Sequence, residues 1–265
     1  MQGVKEGPRQ LRHRGAERRR TLILEELFHS GHVSVSPLSE LFNVSEMTIR
    51  RDLHQLARAG ELELVHGGAR IPEHLRDIVD FSARTLSNST AKQSIAELAA
   101  GLLTERSVIG IDAGTTAHSC AVALSEIYSG TIITNSIPVL SSLVDFPGVS
   151  VIGLGGDLLH RNKAMVGSRV TSALEQIRIE TLLLGASAVT ADGVYNHSSV
   201  ELATKTALIA ASAEVILVAD STKANASGAV RVCGWEKISS LVTEAPWPAD
   251  LTQAISQKNI TFVTP

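Results

Sequence analysis

The sequence predicts an α/β protein in two parts, a small helical head closed by a β-hairpin and a larger doubly wound parallel sheet. Three observations predict it. Residues 44–69 set a well-capped amphipathic helix just ahead of a paired-glycine turn. From residue 90 onward, apolar runs of strand length alternate with helical periodicities, the pattern of parallel β-α-β units. Those runs end in small polar clusters: Asp112-Ala113-Gly114-Thr115-Thr116, Asn135-Ser136, Gly155-Gly156-Asp157, Gly185-Ala186-Ser187 and Asp220-Ser221-Thr222-Lys223.

The head is built in order. In residues 18–30, Leu22, Ile23, Leu27 and Phe28 recur at helical spacing, and Gly31 is placed to end that helix as a C-cap glycine does. Ser36-Pro37 opens a second short helix, serine as cap and proline in the first turn, where its missing N–H costs nothing. That helix carries Leu38, Leu41 and Phe42, and Asn43-Val44 turns the chain into the next one. Ser45 is the cap there, because its hydroxyl can accept from an unpaired amide of the first turn. Ile49, Leu53 and Leu56 then form one apolar face at i, i+4 and i+7. Met47, Thr48, Arg50, Arg51 and His54 are left pointing mostly elsewhere. Leu62, Leu64 and His66 alternate as a strand does, and Gly67-Gly68 is a turn signal.

Two short helices, a tight turn and a hairpin make a winged helix-turn-helix. Arginines on its second helix can donate paired hydrogen bonds to guanine or clamp phosphates. The candidate contacts to double-stranded DNA are Ser45, Met47, Thr48, Arg50, Arg51, His54, His66 and Gly67. The plainer alternative is a helical bundle with a solvated arginine pair. Cap, turn, stripe and hairpin arriving in this order favour DNA.

Charge is distributed to match. The chain of 265 residues has a formal net charge of −3. Residues 1–72 hold 11 Lys and Arg against 9 Asp and Glu, whereas the remainder holds 13 against 18. Lys5, Arg9, Arg12, Arg14, Arg18, Arg19 and Arg20 crowd the first twenty positions. An acidic body behind a basic arm limits non-specific DNA affinity while orienting the head. Residues 1–17 read as a flexible arm that either touches DNA or only solubilises. No apolar stretch follows those charges as in a signal peptide, and no run reaches the ~18 apolar residues of a membrane span. The chain is expected in the cytoplasm, without membrane contact. Cys120 and Cys233 are far apart and read as reduced thiols. The nine histidines form no ligand cluster, so neither metal nor cofactor is expected.

After residues 18–72, a linker spans 73–89, in which Phe81, Arg84 and Leu86 indicate packing. The second domain spans 90–265. Expected helices lie at 92–103, after Thr116 through Leu124, and at 137–144, 168–177, 199–213 and 249–257. Expected strands lie at 107–112, 131–134, 149–154, 182–184, 215–219, 238–242 and 260–263. In doubly wound sheets ligands bind beyond the carboxyl ends of the strands. The polar clusters should therefore meet at one edge. Gly114-Thr115-Thr116, between strand and helix, offers free amides and hydroxyls to an anion. Lys205 supplies a positive charge, with Glu201 one turn earlier. The candidate ligand set is Asp112, Gly114, Thr115, Thr116, Asn135, Ser136, Gly155, Gly156, Glu201, Lys205 and Lys223. A phosphorylated, polyhydroxylated small molecule satisfies that mixture. Plainer readings stay open: Glu201 and Lys205 as a surface ion pair, Asp112 as a helix cap, and Gly153-Leu154-Gly155-Gly156 as a simple turn, since its spacing is not a dinucleotide fingerprint.

Two sets of residues carry a family resemblance. Val44-Ser45, Thr48-Ile49-Arg50-Arg51-Asp52-Leu53, Gly60 and His66-Gly67-Gly68-Ala69 resemble the head of the DeoR family of bacterial transcription regulators. Ile111-Asp112-Ala113-Gly114-Thr115-Thr116, Thr134-Asn135-Ser136, Gly153-Leu154-Gly155-Gly156, Gly167, Gly185-Ala186, Asp192-Gly193, Glu201 with Lys205, and Ala219-Asp220-Ser221-Thr222-Lys223 resemble that family's sensing domain. The resemblance runs over about residues 20 to 245. It departs at Glu63 and Leu64, where the family often has an arginine, and at Glu180 and Val189-Thr190-Ala191. It implies a sensor fold similar to ribose-phosphate isomerases. It further implies repression of a carbohydrate or polyol operon and relief by a phosphorylated sugar. A single head of this size has few base contacts, so a homodimer or homotetramer on repeated half-sites is expected. The competing reading is an isomerase fused to the head, with Asp112, Asp192 or Glu201 as base. The expectation is that the chain is not an enzyme.

Overall fold

The first apolar core joins one long helix to helices and strands that are too short to be stable alone. The structure, a computed structural model, describes residues 8–30, 32–70, 72 and 81–265. It separates into two units, Met1–Ser87 and Asn88–Pro265. In the first unit, α1 (Pro8–Ser30), β1 (His32–Ser34), α2 (Val35–Leu41), α3 (Glu46–Arg58), β2 (Glu63–Val65) and β3 (Gly68–Arg70) follow one another. Ile23 and Leu27 of α1, Leu38 of α2, and Ile49, Leu53 and Leu56 of α3 are buried together with Leu62 and Ala69. The three α3 residues are those the helical spacing predicts.

The structure differs from the sequence reading in several places here. α1 begins at Pro8 rather than near Arg18, and so runs through much of the stretch read as an arm. The cap of α2 is Ser34 rather than Ser36, which lies inside the helix with Pro37 still in the first turn. The expected cap at Gly31 and most of the linker, residues 73–80, lie outside the described residues. Residues 81–86 are helical and bury Phe81, with the Arg84 guanidinium 5.7 Å from its ring centre.

The hairpin β2–β3 is antiparallel, pairing Val65 with Gly68 across His66-Gly67. A third strand, which the sequence does not announce, completes it: β1 pairs with β3, giving the order β1-β3-β2. The reason for glycine at 68 is contact. A Cβ there would lie 1.9 Å from the Val33 carbonyl oxygen, closer than any side chain tolerates.

The second unit carries a seven-stranded sheet. Its strands are β4 (Val108–Ile111), β5 (Thr131–Thr134), β6 (Ser150–Gly153), β9 (Ile179–Gly185), β12 (Ser212–Val218), β14 (Ser240–Val242) and β15 (Thr261–Val263). The order is β15-β14-β12-β9-β4-β5-β6, and every neighbouring pair is parallel. Alternate residues enter opposite cores. Leu183, Ile216 and Val218 pack with Ile95 of α4 (Ser89–Ala100), Ala117 and Cys120 of α5 (Thr115–Leu124), and Val139 of α6 (Ile137–Leu143). Leu182, Leu184 and Leu217 pack with Val170 of α7 (Ser168–Leu174), Leu208 of α8 (Leu202–Ala210), and Leu251 of α9 (Ala249–Ser256). Burial on both faces explains why these strands read as continuous apolar runs. Cys120 sits in the first of these cores, and burial pushes its thiol up to about 12.

Two antiparallel additions depart from the expected pattern. β7 (Asp157–Leu159) and β8 (Ala164–Val166) form a hairpin in the stretch read as irregular. β10 (Ala188–Thr190), β11 (Gly193–Asn196) and β13 (Val230–Cys233) form a small sheet. The helix expected over 199–213 is shorter. A 3-10 turn, Ser199–Glu201, precedes α8, and Ser212 already belongs to β12.

Candidate functional site

The head presents one polar stripe. Ser45 caps α3 by accepting from the Thr48 amide at 3.3 Å, and the two hydroxyls lie 2.9 Å apart. Thr48 is thus half-buried, whereas Met47, Arg50, Arg51 and His54 are exposed. Arg50 is 3.4 Å from Glu46, one turn back. Arg51 has neither hydrogen bond nor ion pair among the described residues. His66 and Gly67 are exposed at the hairpin tip, where Gly67 has φ +78°.

Other charges of the head are spent on its own structure. Asp52 is buried on α3 and accepts from Arg19 Nε at 2.7 Å, with Arg20 at 3.9 Å. Arg20 also donates to Gln55 Oε1 at 2.6 Å. These α1 arginines, among the basic residues crowded into the first twenty positions, brace α3. On the hairpin, Arg70 makes two 3.0 Å hydrogen bonds to Glu63. That pairing holds the Glu63 carboxyl below the usual carboxylate range. Position 63, where the resembled family often has arginine, therefore faces one from the adjoining strand.

In the second unit the strand order reverses between β4 and β9. From β4 the chain proceeds outward through β5 and β6, and from β9 outward through β12, β14 and β15. Such a reversal opens a crevice at the carboxyl ends of the two central strands. Asp112 follows β4 and Gly185 ends β9. Asp112 is buried, and its Oδ2 accepts from the Gly185 amide at 3.1 Å and from Lys205 Nζ. Lys205, on α8, also donates to the Gly185 carbonyl at 3.1 Å. Burial pushes the Asp112 carboxyl upward against the opposing pull of Lys205.

The plain reading of Glu201 and Lys205 as a surface ion pair does not survive, for both are buried. Glu201 accepts instead from Asn196 at 2.8 Å, and Ser187 donates to Asn196 at 2.6 Å. Lys205 is matched to Asp112, so its ammonium has one N–H beyond the two it donates here. Gly114, with φ +155°, is the N-cap of α5 and has no side chain to cap it. The first-turn amides of that helix are left at the crevice end of β4, beside Thr115 and Thr116, whose side chains are largely buried.

Asn135 and Ser136 are brought beside Asp112 by register, since Ile111 pairs with Thr134. Thr134 donates to the Ile111 carbonyl at 2.6 Å and accepts from the Ser136 amide. Ser136 caps α6. Asn135 Nδ2 donates to the Met165 carbonyl at 2.8 Å, while its buried Oδ1 receives no hydrogen bond among the described residues. Asp220 accepts from the Thr222 amide at 3.1 Å through Oδ1. Its Oδ2 receives no hydrogen bond and lies 3.9 Å from the half-exposed Lys223. Gly155 is exposed and Gly156 half-buried.

The sequence reading passed over the β7–β8 hairpin. Ala164 bridges Ser136, and the Ile137 amide donates to the Lys163 carbonyl at 2.9 Å. Lys163 thereby comes near His118 of α5. Burial, then that positive charge, holds the His118 imidazole below its usual range. No sequence signal marks this pairing. Among the described residues, no group of three or more His, Cys, Asp or Glu is arranged to hold a metal. No described helix is long and apolar enough to cross a membrane.

The two units correspond to two known domains. A model of the DeoR C terminal sensor domain matches residues 87–245, and one of the DeoR-like helix-turn-helix domain matches residues 19–74. The chain belongs to the DeoR family. This confirms the resemblance carried by the residue motifs, and makes the chain a helix-turn-helix transcriptional regulator. An Escherichia coli (strain K12) relative, the uncharacterized HTH-type transcriptional regulator YgbI, is 29% identical over 92% of this chain and 96% of its own. The glycerol-3-phosphate regulon repressor of the same strain is 30% identical over 90% of this chain and 94% of its own. Among solved structures, ribose 5-phosphate isomerase A from Neisseria gonorrhoeae aligns with a TM-score of 0.38 at 20% identity, over 50% of this chain and 52% of that one.

Proposed function

We propose that this DeoR-family regulator represses an operon for carbohydrate or polyol breakdown and leaves its double-stranded operator when a phosphorylated sugar binds the crevice between β4 and β9. The observation that carries the reading is the uncapped start of α5 beside the buried Asp112–Lys205 pair at a strand-order reversal. In this reading the phosphate takes the α5 amides with Thr115, Thr116 and the remaining N–H of Lys205. The sugar hydroxyls donate to the open acceptors of Asn135 and Asp220. Glu201 and Asn196 hold α8 in place, and Gly155, Gly156 and Lys223 border the ligand. The relatives support the class of regulated genes, one being named a glycerol-3-phosphate regulon repressor. A head of this size makes few base contacts, so a dimer or tetramer engages repeated half-sites in the cytoplasm.

The test begins with a thermal-shift panel of sugar and polyol phosphates, glycerol 3-phosphate, ribose 5-phosphate and fructose 6-phosphate among them. The compound that stabilises the protein is then titrated into a complex with labelled genomic duplex. Thr115→Ala is expected to keep DNA affinity within about twofold while raising the effector needed for release tenfold or more, the weight of a charge-assisted hydrogen bond. A Thr115→Ala variant that releases DNA at the wild-type concentration removes this loop from the site. Turnover of ribose 5-phosphate or fructose 6-phosphate would move the assignment to an isomerase. The engagement of Asp112 by Lys205 and Gly185 supports a sensor, because a general base must be open to substrate.

A further inference from the structure

One side chain on the α3 stripe is not explained by charge. Met47 is 67% exposed on the first turn of α3. Arg50 and Arg51 follow one turn later and His54 two turns later, all exposed. Isolated exposed hydrophobic residues are ordinary on a protein surface. This one stands at the start of the stripe, ahead of the arginines, at the helix end that meets base edges in helix-turn-helix proteins. Its thioether has no strong hydrogen-bonding group, so it cannot read guanine, adenine or cytosine by hydrogen bonds. The major groove offers one apolar group, the 5-methyl of thymine. Thr48, which also carries a methyl, is half-buried and has its hydroxyl turned to Ser45.

We infer that Met47 reads a thymine 5-methyl group in the major groove of the operator. Methionine suits the task, being unbranched and polarizable and able to settle against a small apolar knob. Arg50, Arg51 and the hairpin fix the helix on the groove, and Met47 adds the requirement for an A·T pair at one position of each half-site. The inference rests on the DNA-binding reading of the head.

Full-length protein is used to select bound sequences from a random duplex pool. Each thymine of the selected site is then replaced in turn by deoxyuridine, which removes only the methyl. Wild-type protein is expected to bind about fourfold more weakly at one thymine per half-site, the weight of one buried methyl group. Met47→Ala should bind the thymine and deoxyuridine duplexes equally there, and Met47→Gln should favour a different base on renewed selection. The inference is overturned if wild-type protein tolerates deoxyuridine at every position, or if Met47→Ala keeps the discrimination. If selection yields no bound sequence, the DNA-binding reading fails, and the thymine contact fails with it. Specific binding without methyl discrimination overturns the thymine contact alone.

Discussion

At the scale of residues, neighbouring charges with similar sequence signatures do different work. Arg50, Arg51 and Asp52 are consecutive on α3, yet only the arginines face outward. Asp52 is turned inward by helical geometry and closes on Arg19, 33 positions earlier. Removing a partly buried acceptor leaves its donor unmatched, which costs about 1–3 kcal/mol. Asp52→Ala is therefore expected to lower the stability of the head by that amount in urea denaturation. Asp52→Asn, which keeps one acceptor oxygen, should lose less. Equal stability of the alanine variant and wild type would show that Arg19 only lies near Asp52. The same logic governs Lys205. A lysine that reads from sequence as a free phosphate partner is already matched to a buried aspartate, and what it offers a ligand is one N–H and not a whole charge.

Elements show how local chemistry and distant contacts divide the work. α3 is specified almost entirely by its own sequence, through the Ser45 cap and the Ile49, Leu53, Leu56 face. The hairpin is not. Its turn is encoded by His66-Gly67, but glycine at 68 is required by Val33 on β1. Gly68→Ala forces that backbone apart, an overpacking of at least about 1–3 kcal/mol. The expected outcome is weaker operator binding with the effector-induced thermal shift of the second unit unchanged. Unimpaired operator binding by this variant would take the hairpin out of the interface. α5 follows a third pattern: its start is uncapped because Gly114 has no side chain, and a ligand anion completes it in the proposed function.

For the whole molecule, a head and a sensor on one chain imply thermodynamic reciprocity. An effector releases DNA only by preferring the DNA-free arrangement. Operator DNA must then weaken effector binding by the same factor by which effector weakens DNA binding, typically about 5–150-fold. Effector affinity measured by calorimetry, with and without saturating operator, checks this against the DNA titration. Unequal factors at matched salt would mean that a third equilibrium, such as a change of oligomeric state, lies between the two sites.

The sequence by itself determined the features that depend on near neighbours. The Ser45 cap, the apolar stripes and the buried parallel strands were legible because each leaves a periodic or positional trace within a dozen residues. So were the small polar residues at the strand ends, because the backbone turns there. Only the tertiary structure decided the strand order, the pairing of Asp52 with Arg19, and the burial of Glu201. The Asp112–Lys205 pair joins residues 93 positions apart, and no local pattern encodes such a choice of partner. The β7–β8 hairpin and the β10-β11-β13 sheet escaped for a related reason. Their strands are three or four residues long and partly exposed, so alternation is too brief to read. In the second of them, Val189, Val194 and Val232 are buried in the same core as Leu182 and Leu184 of the larger sheet, a contact that lies far from them in sequence.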